Sequence, residues 1–107
     1  MNINVFTGYI CDDLILNEED GASVIEFDLV TYEYRRSRAT GEKTRIPTYI
    51  RCEAWSTGAE VIHKLGRKGS KITISASAKN IKPSDNGSST DLIFRINKFD
   101  FANTENE

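Results

Sequence analysis

Thr48-Tyr49-Ile50-Arg51-Cys52-Glu53-Ala54-Trp55 alternates in character, and the alternation stops at Ser56. Ile50, Cys52 and Ala54 fall on one side of this segment. Tyr49, Arg51, Glu53 and Trp55 fall on the other, the period-2 signature of a strand with one face in a core. Between Ser56 and Gly69 the period changes. Ala59, Ile62 and Leu65 recur every third residue with Val61 and His63 nearby, which predicts one short amphipathic helix ending near Gly66. Ser56 or Thr57 is the expected cap.

The segments on either side are strands. Upstream, Ile3, Val5, Thr7 and Tyr9 alternate with Asn2, Asn4, Phe6 and Gly8, so the opening reads as a strand with two partly apolar faces. Gly8 marks a bulge or a close backbone approach. A polar, acidic turn region ends at Asp20-Gly21. Ile25, Phe27, Leu29 and Thr31 then alternate with Glu26, Asp28, Val30 and Tyr32 as a second, half-buried strand. Arg35 to Lys43, with Arg36, Arg38 and Thr40-Gly41, carries neither period and reads as a mobile hairpin loop. Downstream of the helix, Ile72, Ile74, Ala76 and Ala78 give a fourth strand with an apolar inner face. Pro83 to Thr90, with Asp85-Asn86-Gly87, is a turn or loop. Leu92, Phe94 and Ile96 define a fifth strand that Phe99 and Phe101 continue.

Three strands, a helix and two strands is the order of an all-β OB-fold, a five-stranded barrel with one short helix between strands 3 and 4. Residues 1–101 are the expected domain and residues 102–107 a short flexible end. A chain of 107 residues suits one domain with one core. Its 38% hydrophobic and 28% charged residues argue against global disorder. No segment reaches the apolar length of a membrane span, and the first residues carry neither a basic run nor an extended apolar stretch. An intracellular, cytoplasmic location is the expectation. Cys11 and Cys52 do not form a disulfide framework, and Cys52 falls on the inward parity as a small core residue.

A net charge of −2 counts against a nucleic-acid partner until its distribution is read. Residues 1–34 carry eight acidic and no basic side chains. Residues 35–82 carry twelve basic and three acidic, and residues 83–107 two basic and five acidic. The positive charge thus falls almost wholly in the middle of the chain, where it forms either a basic groove or a set of clustered, solvated charges.

Tyr49, Arg51 and Trp55 put two rings and a cation on the outward face of the third strand. Single-stranded nucleic acid gives such rings a purpose, because every base has a π-face to stack and cations hold the phosphates. The other reading of Trp55 turns it into the interior or a subunit contact. Arg35, Arg36, Arg38, Lys43 and Arg45 lie in or beside the hairpin loop, and Lys68, Lys71, Lys79 and Lys82 follow the helix. Both groups are placed to flank the aromatic face, although each lysine taken singly reads as an ordinary solvated charge. Catalysis finds little support. His63 is the only histidine, no zinc-ligand spacing occurs, and there is no phosphate-cradling glycine loop or nucleophile elbow. Neither a catalytic residue nor a metal or other cofactor is expected.

Several strings resemble, in order, the bacterial-type single-stranded DNA-binding protein family. These are Asn2-Ile3-Asn4-Val5-Phe6-Thr7-Gly8, Phe27-Asp28-Leu29, Ala39-Thr40-Gly41-Glu42, Thr48-Tyr49-Ile50-Arg51-Cys52 with Ala54-Trp55, Ala59-Glu60-Val61, Arg67-Lys68-Gly69-Ser70 and Phe99-Asp100-Phe101. The resemblance implies a sequence-tolerant binder that coats and protects single-stranded DNA in replication, recombination or repair. It also implies a homo-oligomer, a tetramer or dimer built through the first strand, from a bacterium or a virus that infects one. Tyr49 and Trp55 take the stacking positions. Two departures stand out: a loop stacking position falls at Arg35, with Tyr34 beside it as substitute, and another falls at Pro83. Many members also carry a linker and an acidic tip that recruits replication and repair partners. Here the chain ends six residues after Phe101, as in a natural short form or a truncated piece, and Glu105 and Glu107 are too few to act as that tip. The rival expectations are a primosome-type OB-fold adaptor and an OB-fold nuclease.

Overall fold

Each alternating segment forms a strand in the computed structural model, which describes residues 1–81 and 90–102. The elements are β1 (Asn4–Ile10), β2 (Asn17–Glu19), β3 (Ala22–Arg36), β4 (Lys43–Trp55), α1 (Ser56–Leu65), β5 (Lys71–Asn80) and β6 (Leu92–Phe101). Strands β1, β5, β6, β4 and β3 pair in that order, and β1 returns to β3 at Tyr9–Val30 and Ile10–Leu29. The five long strands therefore close into a barrel with one short helix, the OB-fold expected from the element order. In this ring β4 and β6 run parallel and the other neighbours antiparallel.

The inward parity of each strand supplies the core. Ile25, Phe27 and Leu29 from β3, Ile50, Cys52 and Ala54 from β4, and Ile72, Ile74 and Ala76 from β5 are buried together with Ile10. Ala59 and Ile62 of α1 join them. Burying each large aliphatic or aromatic side chain contributes roughly 1.5–3 kcal/mol before conformational entropy is charged against it. On β6 the inward parity changes partway. Ser75 pairs with Lys98 but Ala76 with Ile96, so Asn97 is the extra residue of a β-bulge. Phe94 and Ile96 before it, and Phe99 and Phe101 after it, all pack on the core.

Gly8 is where the barrel closes. A Cβ there would lie 2.3 Å from the Val30 carbonyl oxygen, so β1 can cross β3 only with a hydrogen at that position. This is the close approach expected from sequence. Gly66 ends the helix for a packing reason: a Cβ would meet the Phe101 ring at 2.9 Å, and φ is an ordinary −98°.

Four local expectations need correction. The acidic turn region contains a short strand, β2, paired on the start of β3. The hairpin is mostly strand: β3 runs to Arg36 and β4 starts at Lys43, so only residues 37–42 form the loop, and Arg35, Arg36 and Lys43 sit in paired positions. Neither Ser56 nor Thr57 caps α1. Trp55 occupies the cap position without a side-chain bond, and Ser56 already has φ 56°. Leu65 is 58% exposed, so of the predicted apolar positions only Ala59 and Ile62 reach the core. The Pro83 to Thr90 turn falls outside the described residues except for Thr90.

Candidate nucleic-acid interface

Residues opposite one another in an antiparallel pair point to the same side of the sheet. The outer face of the β3–β4 hairpin can therefore be read row by row from its tip. The rows are Arg36–Lys43, Tyr34–Arg45, Tyr32–Pro47, Val30–Tyr49, Asp28–Arg51, Glu26–Glu53 and Val24–Trp55. Charge and aromaticity separate along this face. Cations occupy the tip, tyrosines the middle, and carboxylates the part nearest the helix.

At the tip end the rings and cations are in contact. The Lys43 ammonium lies 4.5 Å from the centre of the Tyr34 ring, and the Arg45 guanidinium 4.1 Å from that of Tyr32. Both are cation–π arrangements. Tyr34 is 59% and Tyr49 66% exposed, so these rings lie open to solvent. Val30, on the same parity, is buried, flanked by Tyr49 on β4 and Tyr9 on β1.

The next row behaves differently. Arg51 is held by Asp28 at 3.2 Å, Glu26 at 3.4 Å and Asp12 at 3.6 Å. Partial burial works against its charge, but the hydrogen bond and charge of Asp28, assisted by Glu26, outweigh that and raise its pKa above the usual guanidinium value. Arg51 is thus already matched by carboxylates. Glu53, expected on the open face, is buried at 8% exposure, where its Oε2 accepts from Arg95 Nε at 2.8 Å. The Arg95 guanidinium lies 5.2 Å from the centre of the Trp55 ring. Trp55 is only partly exposed, and its indole Nε1 is buried without a partner among the described residues. Its two readings meet here, with one part of the ring packed and another reaching the surface.

Beside this end of the face lies a groove of about 310 Å³, lined by Glu26, Arg51, Glu53 and Arg95 with Lys79, Asn80, Ile81 and Ile93. A larger one of about 650 Å³ is bordered by Asp12, Asp13, Glu18, Glu19 and Glu26. Away from these carboxylate-lined grooves, cations of the middle block stand on the hairpin and at the start of β5.

The structure brings Tyr34, Arg36, Lys43, Arg45, Tyr49, Arg51 and Trp55 onto one face. Arg35 is on the opposite parity, 3.9 Å from Glu33, and Arg38 sits in the loop at the tip. Lys68 precedes β5, Lys71 opens it and Lys79 lies near its end; Lys82 and the stacking position at Pro83 fall outside the described residues. Tyr9 and Tyr32 share the outer face without having been singled out by the strand pattern. Their rings lie 6.2 Å apart, a contact set by the β1–β3 register. Both cysteines are free thiols whose surroundings disfavour the thiolate. Burial, with help from Asp28, pushes Cys52 up to about 12. Burial together with Asp12 and Asp28 raises Cys11.

Solved structures share this architecture. The wild-type single-stranded DNA binding protein from Thermus aquaticus matches at a TM-score of 0.79 and 16% identity, over 99% of this chain and 52% of that one. This chain thus spans about half the length of the Thermus protein. The single-stranded DNA-binding protein of Plasmodium falciparum, solved in complex with single-stranded DNA, matches at 0.73 and 24% identity over 96% of both chains. The small single-stranded DNA-binding protein of Streptomyces coelicolor matches at 0.73 and 11% identity over 94% and 91%. At these identities the likeness establishes the fold. No curated protein sequence matches. The family model is decisive: residues 1–101 match the Single-strand binding protein family, and the chain belongs to it.

Proposed function

We propose that this protein binds single-stranded DNA without sequence preference on the outer face of β3 and β4. By this activity it coats and protects exposed strands in replication, recombination or repair, with no catalytic turnover. The observation that carries the reading is the gathering of open tyrosine rings and cations on one sheet face, Tyr34 in contact with Lys43 and Tyr49 two rows from Arg45. Bases stack on Tyr34, Tyr49 and the accessible part of Trp55. Arg36, Arg38, Lys43, Arg45, Lys68, Lys71, Lys79 and Lys82 neutralise phosphates around them, whereas Arg35, on the opposite parity beside Glu33, does not face them. Arg51, already matched by carboxylates, contributes least to phosphate binding.

Self-association accompanies this activity. Ile3 just before β1 and Val5 on it are exposed, and only Tyr9 and Ile10 of β1 are paired to β3, so most of one strand edge is open to another copy. A homotetramer or dimer through β1 is the proposed assembly. No described helix is long and apolar enough to cross a membrane, and a cytoplasmic location is proposed.

The test is a pair of variants, Tyr49→Ala and Trp55→Ala, measured for oligothymidine binding and for folding. Loss of affinity of about fivefold or more with an intact melting transition supports the stacking roles. A wild-type chain that fails to bind oligothymidine overturns the function.

A further inference from the structure

Tyr9 continues the outer-face row that contains Tyr49. Across the sheet the register runs Lys71 on β5, Tyr9 on β1, Val30 on β3 and Tyr49 on β4. Neighbouring strands lie about 4.8 Å apart, so this row crosses the barrel in roughly 14 Å. Tyr32 sits one row toward the hairpin tip, about 6.7 Å away along β3. Its ring touches Tyr9 at 6.2 Å between centroids and carries the Arg45 guanidinium at 4.1 Å. The chain has four tyrosines, and all four fall on this one face.

The tyrosine rows have a cation at each end. Arg45 and Lys43 stand at the hairpin end, and Lys71 at the β5 end, directly opposite Tyr9. Toward the helix the face turns hostile to a polyanion, because the row after Tyr49 presents Arg51 already neutralised by Asp12, Glu26 and Asp28. A phosphate placed there meets three carboxylates around one occupied cation. The tyrosine rows offer bases a stacking surface, and phosphates cations that have no carboxylate partner among the described residues. Tyr9 is 40% exposed, so it is not spent in the core.

We propose that the strand follows these rows from the hairpin to β5, with bases stacked on Tyr32 and Tyr9 and phosphates held by Arg45 and Lys71. This rests on the single-stranded DNA reading above. It adds two binding residues, and over these rows it takes the strand across β3 and β1. The guanidinium on Tyr32 is part of the site: a base stacks against the exposed part of this half-buried ring or takes the place of the guanidinium there.

Oligothymidine titrations of wild type, Tyr32→Leu and Tyr9→Leu test the path. Each tyrosine variant should bind about 5- to 150-fold more weakly, the loss of one stacked base. A readout free of folding effects uses the wild-type chain. Tetranitromethane nitration of Tyr9 and Tyr32, read by mass spectrometry, should be suppressed by saturating oligothymidine. If wild type binds but both tyrosine variants keep its affinity, or nitration of Tyr9 and Tyr32 is unchanged while Tyr49 is protected, the path is wrong. Loss of self-association by Tyr9→Leu with affinity retained would assign Tyr9 to a contact between copies and overturn its role. A wild type that does not bind removes the functional reading itself.

Discussion

Arg95 Nε donates to Glu53 Oε2 across 2.8 Å, joining β6 to a carboxylate that is otherwise buried on β4. The two partners are unequal: the Arg95 side chain is 40% exposed and that of Glu53 11%. Removing Arg95 leaves a desolvated carboxylate, whereas removing the charge of Glu53 leaves a guanidinium that water can reach. Arg95→Ala should therefore destabilise the fold by about 2–3 kcal/mol and Glu53→Gln by only about 1 kcal/mol. Urea denaturation checks the order, and Trp55 emission should shift in Arg95→Ala because its cation leaves the ring.

Salt dependence should be steep for a protein with net negative charge. If about six phosphates are neutralised, the logarithm of the binding constant for oligothymidine should fall against the logarithm of salt with a slope near −4. A fluorescence titration between low and moderate salt measures it, and a slope near zero contradicts phosphate neutralisation as a main source of affinity.

Two glycine substitutions should differ in cost. At Gly8 a methyl group collides with the Val30 carbonyl at 2.3 Å, and backbone has to move where β1 closes the barrel. Gly8→Ala should cost about 3 kcal/mol or more. At Gly66 the obstacle is the Phe101 ring at 2.9 Å, with the Ile62 carbonyl at 3.0 Å. The ring can tilt, so Gly66→Ala should cost about 1–2 kcal/mol. Thermal melts of the two variants give the comparison.

Cys52 makes stability fall at high pH. Its thiol stays protonated in the folded chain up to about 12, while in the unfolded chain it ionises at the usual thiol value. Between those two values the unfolded state binds fewer protons than the folded state, so stability declines as pH rises. Below the usual thiol pKa the contribution is constant. The decline measured by denaturant unfolding should be shallower in Cys52→Ala. For the same reason iodoacetamide should leave Cys52 unmodified in the folded protein at neutral pH and alkylate Cys11 slowly.

The barrel was legible because its information is local. Alternation at Ile25, Phe27 and Leu29, or at Ile50, Cys52 and Ala54, marks a buried face within one strand, and the change of period at Ser56 locates the helix. β2 escaped because Asn17, Glu18 and Glu19 are all exposed and carry no alternation. The hairpin stem escaped for a related reason: beyond Tyr32 both of its faces are largely wet, so Arg35, Arg36 and Lys43 read as loop although they are paired. In the site, Tyr34 and Tyr49 could be found from their place beside cations along the chain. Tyr9 and Tyr32 could not, since their contact depends on how β1 registers against β3, which neither segment encodes alone. The three carboxylates around Arg51 come from two segments and were hidden in the same way.

The extra residue at Asn97 acts as a key cut into the last strand. Upstream of it β6 has to meet β4 and β5 with its even-numbered side chains inward, and downstream it meets β5 with its odd-numbered ones. Without that extra residue a regular strand could keep only one pair inward, Phe94 and Ile96 or Phe99 and Phe101, and would turn the other to water. The sixth strand thus has a single seat available, and the ring shuts in one alignment only.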